Sequence, residues 1–268
     1  MLRSARAMHG GSRMPGMLIV AAHPDDETIG AGALLAGSDD VTVLHVTDGA
    51  PRDRRWWSAG AAGSRADYAR ARRDEVEHAL ELAGVPRSRV HDLGLVDQEA
   101  CQALPELAAV LAHWIERVAP ALVVTHAYEG GHPDHDAVAF AVAVARVLVA
   151  RAGHAPPMVF EMALYHGAAG GFHVGEFVPV AGGRTAIARP LAAAERTRRR
   201  EMLACFTTQQ ATLAPFVDVG HERYRPAPAY EFTRPPHAGP LLYERSGFGI
   251  DGDAWRHLAS RALSQVLG

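Results

Sequence analysis

Apolar positions along the chain fall into short unbroken runs that alternate with longer helical patterns. Met17 to Ala22 is an apolar run, which predicts a buried strand. Glu27 to Ala36 is rich in Ala and Leu and predicts a helix. Val41 to Thr47 is a β-branched run ending in Asp48-Gly49, which is turn chemistry. A polar loop carrying Trp56 and Trp57 follows. Helical spacing then runs from Ser64 to Ala83 and stops at Gly84, a residue suited to a C-cap. Val90 to Leu95 and Ala121 to Thr125 are further strands. Leu104 to Val118 and Asp134 to Ala152 are further helices. Strands alternating with helices imply an α/β, Rossmann-like fold: a mostly parallel sheet with helices on both faces.

Beyond about residue 153 the pattern loosens. Met158 to Leu164 predicts a strand and Phe172 to Val180 an edge strand. Leu191 to Phe206 reads as a helix with a charged run from Arg196 to Glu201. The remainder is Pro-rich until a helix over Asp253 to Leu267. There is no internal repeat and no clean boundary, so residues 17–268 are expected to form one domain with a C-terminal extension packed on it. Residues 1–16 bear Arg and Gly without an apolar stretch. They read as a flexible tail, or as a start placed too early with Met14 or Met17 as alternatives, and not as a secretory signal.

Length and composition narrow the chemistry. The 268 residues suffice for one large domain, and a net charge of -3 does not suit a nucleic-acid binder. No lysine is present, which excludes Schiff-base catalysis and a Lys-bearing phosphate loop. No asparagine is present, which excludes N-glycosylation. Cys101 and Cys205 lack the spacing of a thiolate zinc site and read as ordinary residues. No apolar run is long enough to span a membrane, and a cytoplasmic protein is expected.

Two segments carry chemistry. Ala22-His23-Pro24-Asp25-Asp26-Glu27 follows the first strand and opens the first helix. Gly130-Gly131-His132-Pro133-Asp134-His135-Asp136 follows the Ala121 to Thr125 strand and opens another helix. Ligands of open α/β sheets bind beyond the carboxyl ends of the strands, so the two clusters should meet in one crevice. Imidazole and carboxylate suit a divalent metal, with three protein ligands leaving a position for water. His23 and Asp26 are three apart, as are His132 and His135, so each pair shares a face of a turn. Of the adjacent carboxylates Asp25 and Asp26, one can bind metal while the other stays a base. Capping and dipole complementation could also place Asp-Asp-Glu before a helix, and Pro at a first helical position could explain His-Pro-Asp-His. Both at equivalent strand ends make coincidence a poor account. His45, His78, His113 and His257 lack such company and read as surface or satisfied core residues. Gly30-Ala31-Gly32 imitates a dinucleotide fingerprint, but Leu35 stands where the third glycine belongs, and the carboxylates at the turn would repel a pyrophosphate.

At these residues the chain resembles the PIG-L/LmbE-like family of zinc-dependent N-deacetylases, whose hallmarks are Ala-His-Pro-Asp-Asp-Glu and His-x-Asp-His segments. Here they read Ala22 to Glu27 and His132 to His135. A weaker resemblance covers Met17 to Gln209 and, through bacterial members, the stretch around Tyr243-Glu244-Arg245. The resemblance implies one deacetylase domain over 17–268, with His23, Asp26 and His135 as ligands to zinc, or alternatively ferrous iron. It implies Asp25 as general base and His132 as oxyanion stabiliser and donor to the leaving amine. It implies Arg72 and Asp97 as substrate contacts, against a helix-surface ion pair and a loop turn as their bland readings. Where the mycothiol-pathway member has a tyrosine two residues before the oxyanion histidine, this chain has Gly130, with Tyr128 the nearest aromatic. The implied activity is hydrolysis of an N-acetyl or longer N-acyl group from an amino sugar or glycosylated small molecule. His132 must be at least partly protonated to help in that scheme. A metal-dependent phosphoesterase and a non-catalytic sugar-binding protein are the alternatives. The oligomeric state is left open.

Overall fold

The computed structural model of the chain describes residues 16–180 and 182–268. The expected N-terminal tail therefore lies, apart from Gly16, outside the described residues.

Five parallel strands form the body of the sheet: β1 (Met17–Ala21), β2 (Val41–Thr47), β3 (Val90–Leu95), β4 (Leu122–Thr125) and β5 (Met158–Met162). A two-stranded hairpin, β6 (Tyr165–His166) with β7 (His173–Val174), stands apart. Two more strands, β8 (Ile187–Pro190) and β9 (His221–Pro226), complete a seven-stranded sheet in the order β3-β2-β1-β4-β5-β9-β8. β9 runs antiparallel to both β5 and β8. The helices are α1 (Asp26–Ala36), α2 (Arg65–Leu82), α3 (Leu104–Val118), α4 (Pro133–Arg151), α5 (Ala193–Ala204), α6 (Gln210–Leu213), α7 (Leu242–Ser246) and α8 (Gly252–Leu267).

Side chains alternate across a strand, so an all-apolar strand must be covered on both faces. Leu18, Val20, Leu44 and Val46 meet α3, α4 and α8 on one face, while Met17, Ile19, Val41 and Val43 meet α1, α2 and α5 on the other. Gly30 within α1 explains the false fingerprint: a Cβ there would lie 2.7 Å from Met162 Sδ, so the glycine serves helix–sheet contact.

The expected α/β fold is present, with three differences toward the C-terminus. The edge strand expected over Phe172 to Val180 is reduced to His173–Val174, because side chains take its backbone groups. The Val178 N–H donates to Glu129 at 2.6 Å and its carbonyl accepts from Arg225 at 2.7 Å. β9 was not legible because two of its inward residues are charged: Glu222 and Arg225 are buried. β8 is a four-residue edge strand ending in proline, too short for a period.

Topology positions the two motif loops. β1 pairs directly with β4, with Ile19 opposite Val124, so both loops leave the sheet side by side where the strand order reverses. The C-terminal extension supports the second loop. Trp255 of α8 is fully buried and its indole N–H donates to Pro133 O at 3.1 Å. Leu242 N–H donates to Gly130 O at 2.9 Å. Cys101 and Cys205 are free thiols. Among the described residues no helix is long and apolar enough to cross a membrane.

Candidate metal centre

The first loop sets two carboxylates to different tasks. Asp26 begins α1 and accepts the His23 backbone N–H at 2.8 Å, with His23 Nδ1 3.1 Å from the same oxygen. Its other oxygen lies 3.2 Å from His135 Nε2 of α4. Burial alone would raise its pKa, but the imidazoles of His135, His126 and His23 outweigh that and hold it well below the carboxylate range. Asp25 precedes the helix and points elsewhere: its Oδ2 accepts from Arg72 Nη2 at 2.9 Å. Burial pushes the Asp25 carboxyl up to about 7, with Arg72 opposing and Asp26 adding to the rise. The Asp25 backbone sits at φ 153°, ψ -25°, a conformation that side chains rarely adopt and that concentrates at functional sites.

The second loop brings His126, His132, Asp134 and His135 against the first. His132 caps α4, its Nδ1 accepting the Asp134 N–H at 3.1 Å, which leaves the ring proton on Nε2. Burial, then the charge of His23, keeps its pKa well below the usual value. Burial thus favours the neutral ring, with its Nε2–H free to donate. Asp134 accepts the Gln98 and Ala100 backbone N–H groups at 2.6 and 3.0 Å, drawing the 97–100 turn onto the site. Its Oδ2 also lies 3.2 Å from His23 Nε2. Asp136 accepts the Glu129 and Gly130 N–H groups and so shapes the Gly-Gly turn ahead of His132.

These donors suit a divalent ion. Ligands about 2.0–2.2 Å from a tetrahedral zinc lie roughly 3.3–3.6 Å from one another. The 3.1 Å from His23 to Asp26 and 3.2 Å from Asp26 to His135 are close to that spacing. His135 Nε2 is buried 3.2 Å from Asp26 Oδ1 without hydrogen-bond alignment, an unsatisfied nitrogen that a bound ion would satisfy. His23 and His135 each meet Asp26, but at different oxygens, Oδ2 and Oδ1, so the three donors are not gathered on one point. The groups whose donor atoms all lie within 4.8 Å of one another are His23/His132/His135, His23/Asp97/His132/Asp134 and Asp26/His126/His135. His126 is thus a further nitrogen at the centre, although its Nε2 already accepts the Ala22 N–H at 2.8 Å.

Of the remaining residues expected from the sequence, Asp97 lies at the cluster, Oδ1 3.2 Å from His23 Nε2 without hydrogen-bond alignment. Arg72 is not on the helix surface: it is 2% exposed and reaches Asp25 past Gly49, where a Cβ would lie 2.8 Å from the guanidinium. Gly130 has φ +68° and faces Leu241 at 2.7 Å from a notional Cβ, so the extension fills the space beside it. Tyr128 turns away into the core, its hydroxyl donating to Arg234 O. Tyr165 packs on His135 instead, ring centroids 5.2 Å apart.

Residues that sequence reasoning missed are His126, Asp134, Asp136, Glu27 and Tyr165. Asp134 and Asp136 lie inside the second motif, where their alternation with His135 was a readable signal. Tyr165 and the rim aromatics carried none. That rim joins remote segments: Trp56 stacks on Phe248 at 4.5 Å, and Phe248 meets His132 edge-on at 4.5 Å. A cavity of about 220 Å³ beside the cluster is lined by His126, His135, Met162, Leu164 and Tyr165. A cavity of about 370 Å³ is lined by Pro24, His45, Arg73, His91 and Asp92 and by none of the candidate metal donors.

Residues 18–146 match the model of the PIG-L family, described as GlcNAc-PI de-N-acetylase. A 1D-myo-inositol 2-acetamido-2-deoxy-alpha-D-glucopyranoside deacetylase from Gordonia bronchialis is 30% identical over 181 residues. That match covers 57% of this chain and 64% of the relative's length. Among solved structures, the zinc-inhibited form of a teicoplanin deacetylase is similar with TM-score 0.55 and 19% identity, over 78% of this chain and 97% of that one. A 4-carboxy-2-hydroxymuconate hydratase from Pseudomonas putida is similar with TM-score 0.53 and 19% identity, over 77% of this chain and 84% of that one. One fold thus serves both hydrolysis and hydration, and the choice between them rests on the site. Both halves of the donor cluster fall within residues 18–146, the segment that matches the PIG-L family model.

Proposed function

We propose that this chain is a metal-dependent N-deacetylase that removes an acetyl or other N-acyl group from an amino sugar or glycosylated small molecule. The observation that carries the reading is the split of the adjacent carboxylates. Asp26 lies among imidazoles as a ligand should, while Asp25 is held away from them by Arg72 with its pKa near neutrality. His23, Asp26 and His135 would hold the ion, zinc or ferrous iron. Bound there, it supplies Lewis acidity, lowering the pKa of a water and drawing electrons from an amide carbonyl.

The chain's own residues do the rest. Arg72 occupies Asp25 Oδ2, so Oδ1 takes the proton from the attacking water. His132 offers its Nε2–H to the oxyanion, and its neutrality spares it the repulsion of a nearby cation. The proton gained by Asp25 is the one that the leaving amine needs, while the neutral His132 contributes a hydrogen bond and no proton. Asp134 holds His23 by its outer nitrogen, the carboxylate–histidine–metal arrangement that fixes ring orientation. Asp97, whose Oδ1 has no aligned partner, is free to meet a substrate hydroxyl.

The test is acetate release from a panel of N-acetyl amino sugars, free and glycosidically linked, before chelation, after it, and after zinc or ferrous iron is restored. Activity lost on chelation and regained with metal supports the reading. Phosphate release from phosphate monoesters without acetate release would replace it with a phosphoesterase. Sugar binding with neither product would replace it with a binding protein.

A further inference from the structure

The AHPDDE segment ends in a carboxylate that neither the ligand set nor the proton transfer uses. Glu27 is fully buried. Its Oε2 accepts the Asp25 backbone N–H at 3.1 Å and the Nε2–H of His45 at 2.8 Å. Its Oε1 accepts the Thr28 hydroxyl at 2.6 Å. His45 comes from β2, the strand beside β1, and is 2% exposed. Glu27 thus ties the backbone of the proposed base to the rigid sheet. That backbone has φ 153°, and a rarely populated conformation persists only where its surroundings over-determine it. Helix capping alone does not explain the arrangement. An exposed polar side chain could cap this turn, whereas this carboxylate is buried and requires a second buried group from another strand to satisfy it.

We infer that Glu27 and His45 are positioning residues. Together they hold the Asp25 peptide in its strained conformation and thereby aim the Asp25 carboxylate. The inference rests on the proposed role of Asp25 as base. A base displaced by about 1 Å can lose on the order of 10²-fold in rate. Replacement of Glu27 therefore acts on turnover and not on capture.

The experiment is a double-mutant cycle on the metal-loaded enzyme, with kcat, KM, metal per chain and thermal midpoint measured for Glu27→Gln, Asp25→Asn and the pair. The expected result is a loss of about 10–10²-fold in kcat for Glu27→Gln with KM and metal content unchanged. In the Asp25→Asn background the same change should cost less than about twofold, because there is no base left to aim. His45→Leu should reproduce the kcat loss, and His45→Gln, which keeps an N–H donor for Glu27, should recover most of it. If Glu27→Gln does not fold, the His45 pair in both backgrounds carries the same cycle. Equal losses with and without Asp25, or losses that follow metal content, would overturn the inference and leave Glu27 a structural residue. An Asp25→Asn variant as active as the parent would overturn the proposed mechanism instead, so the two failures are distinguishable.

Discussion

Replacing Arg72 by methionine keeps most of the side chain's volume and removes the guanidinium that touches Asp25 at 2.9 Å. Both partners are buried, so screening by water is weak. An opposite charge in contact lowers an acid's pKa by about 1–3 units, and Arg72 is the leading influence opposing burial at Asp25. Removing it raises the Asp25 pKa from about 7 by a comparable amount. A base works deprotonated, so the acid limb of kcat/KM against pH should move up by about 1–3 units. Below that limb the variant is roughly 10–10³-fold slower, and the two profiles converge at high pH. A bound ion lowers the Asp25 pKa in parent and variant alike, so the displacement survives metal loading. Breaking the pair also costs stability, about 3–5 kcal/mol where the orphaned charge persists, and less where Asp25 takes up a proton. The assay is acetate release across a buffer series, with metal per chain measured in each sample. An unmoved acid limb with KM raised at every pH would refute the reasoning. Arg72 would then grip substrate, as the resemblance implies, without tuning the base.

Asp97 and Asp134 both lie 3.2 Å from His23 Nε2, but Asp134 is the aligned partner. Asp134→Ala should weaken metal binding about 10–100-fold by equilibrium dialysis, whereas Asp97→Ala should raise KM with metal content unchanged. A metal-poor Asp97→Ala protein would exchange the two roles. Gly130→Ala places a Cβ at φ +68° and against Leu241, and should cost about 1 kcal/mol or more in a denaturant midpoint while lowering turnover through the His132 loop. Trp255→Phe removes the N–H donated to Pro133 O and should cost about 0.5–1.5 kcal/mol, a test of whether α8 supports the second motif.

The body of the sheet was legible because β1 and β4 are apolar on both faces and β2 is nearly so, and such runs have one explanation in an α/β chain. The meeting of His23 with His135 was legible for a topological reason: both loops leave adjacent parallel strands at the end where this fold binds ligands. What the sequence hid were groups whose chemistry is settled by distant partners. Arg72 entered only as a substrate contact implied by the resemblance, against a surface ion pair, because nothing local shows that Gly49 opens a path to Asp25. His45 sits in a β-branched run without neighbours of its kind, and its partner Glu27 is brought to it only by the β1–β2 pairing. β9 was hidden because Glu222 and Arg225 break the apolar pattern, their charges satisfied by groups such as Tyr224 and Glu161. Phe248 reaches His132 from 116 residues away through a turn with no periodic signal.

Metal per chain tests the central claim most directly, determined by elemental analysis after dialysis for the parent and four variants. The account predicts about one zinc or iron per chain in the parent, as a three-ligand site implies, and the same in Asp25→Asn and His132→Ala. It predicts metal-poor protein for Asp26→Ala and His135→Ala, partly refilled by excess zinc. Asp25→Asn should be loaded yet slower by about 10²–10⁴-fold. Metal-free Asp25→Asn beside fully loaded Asp26→Ala would reverse the assignment of ligand and base, and full deacetylase activity in metal-free parent protein would contradict the account as a whole.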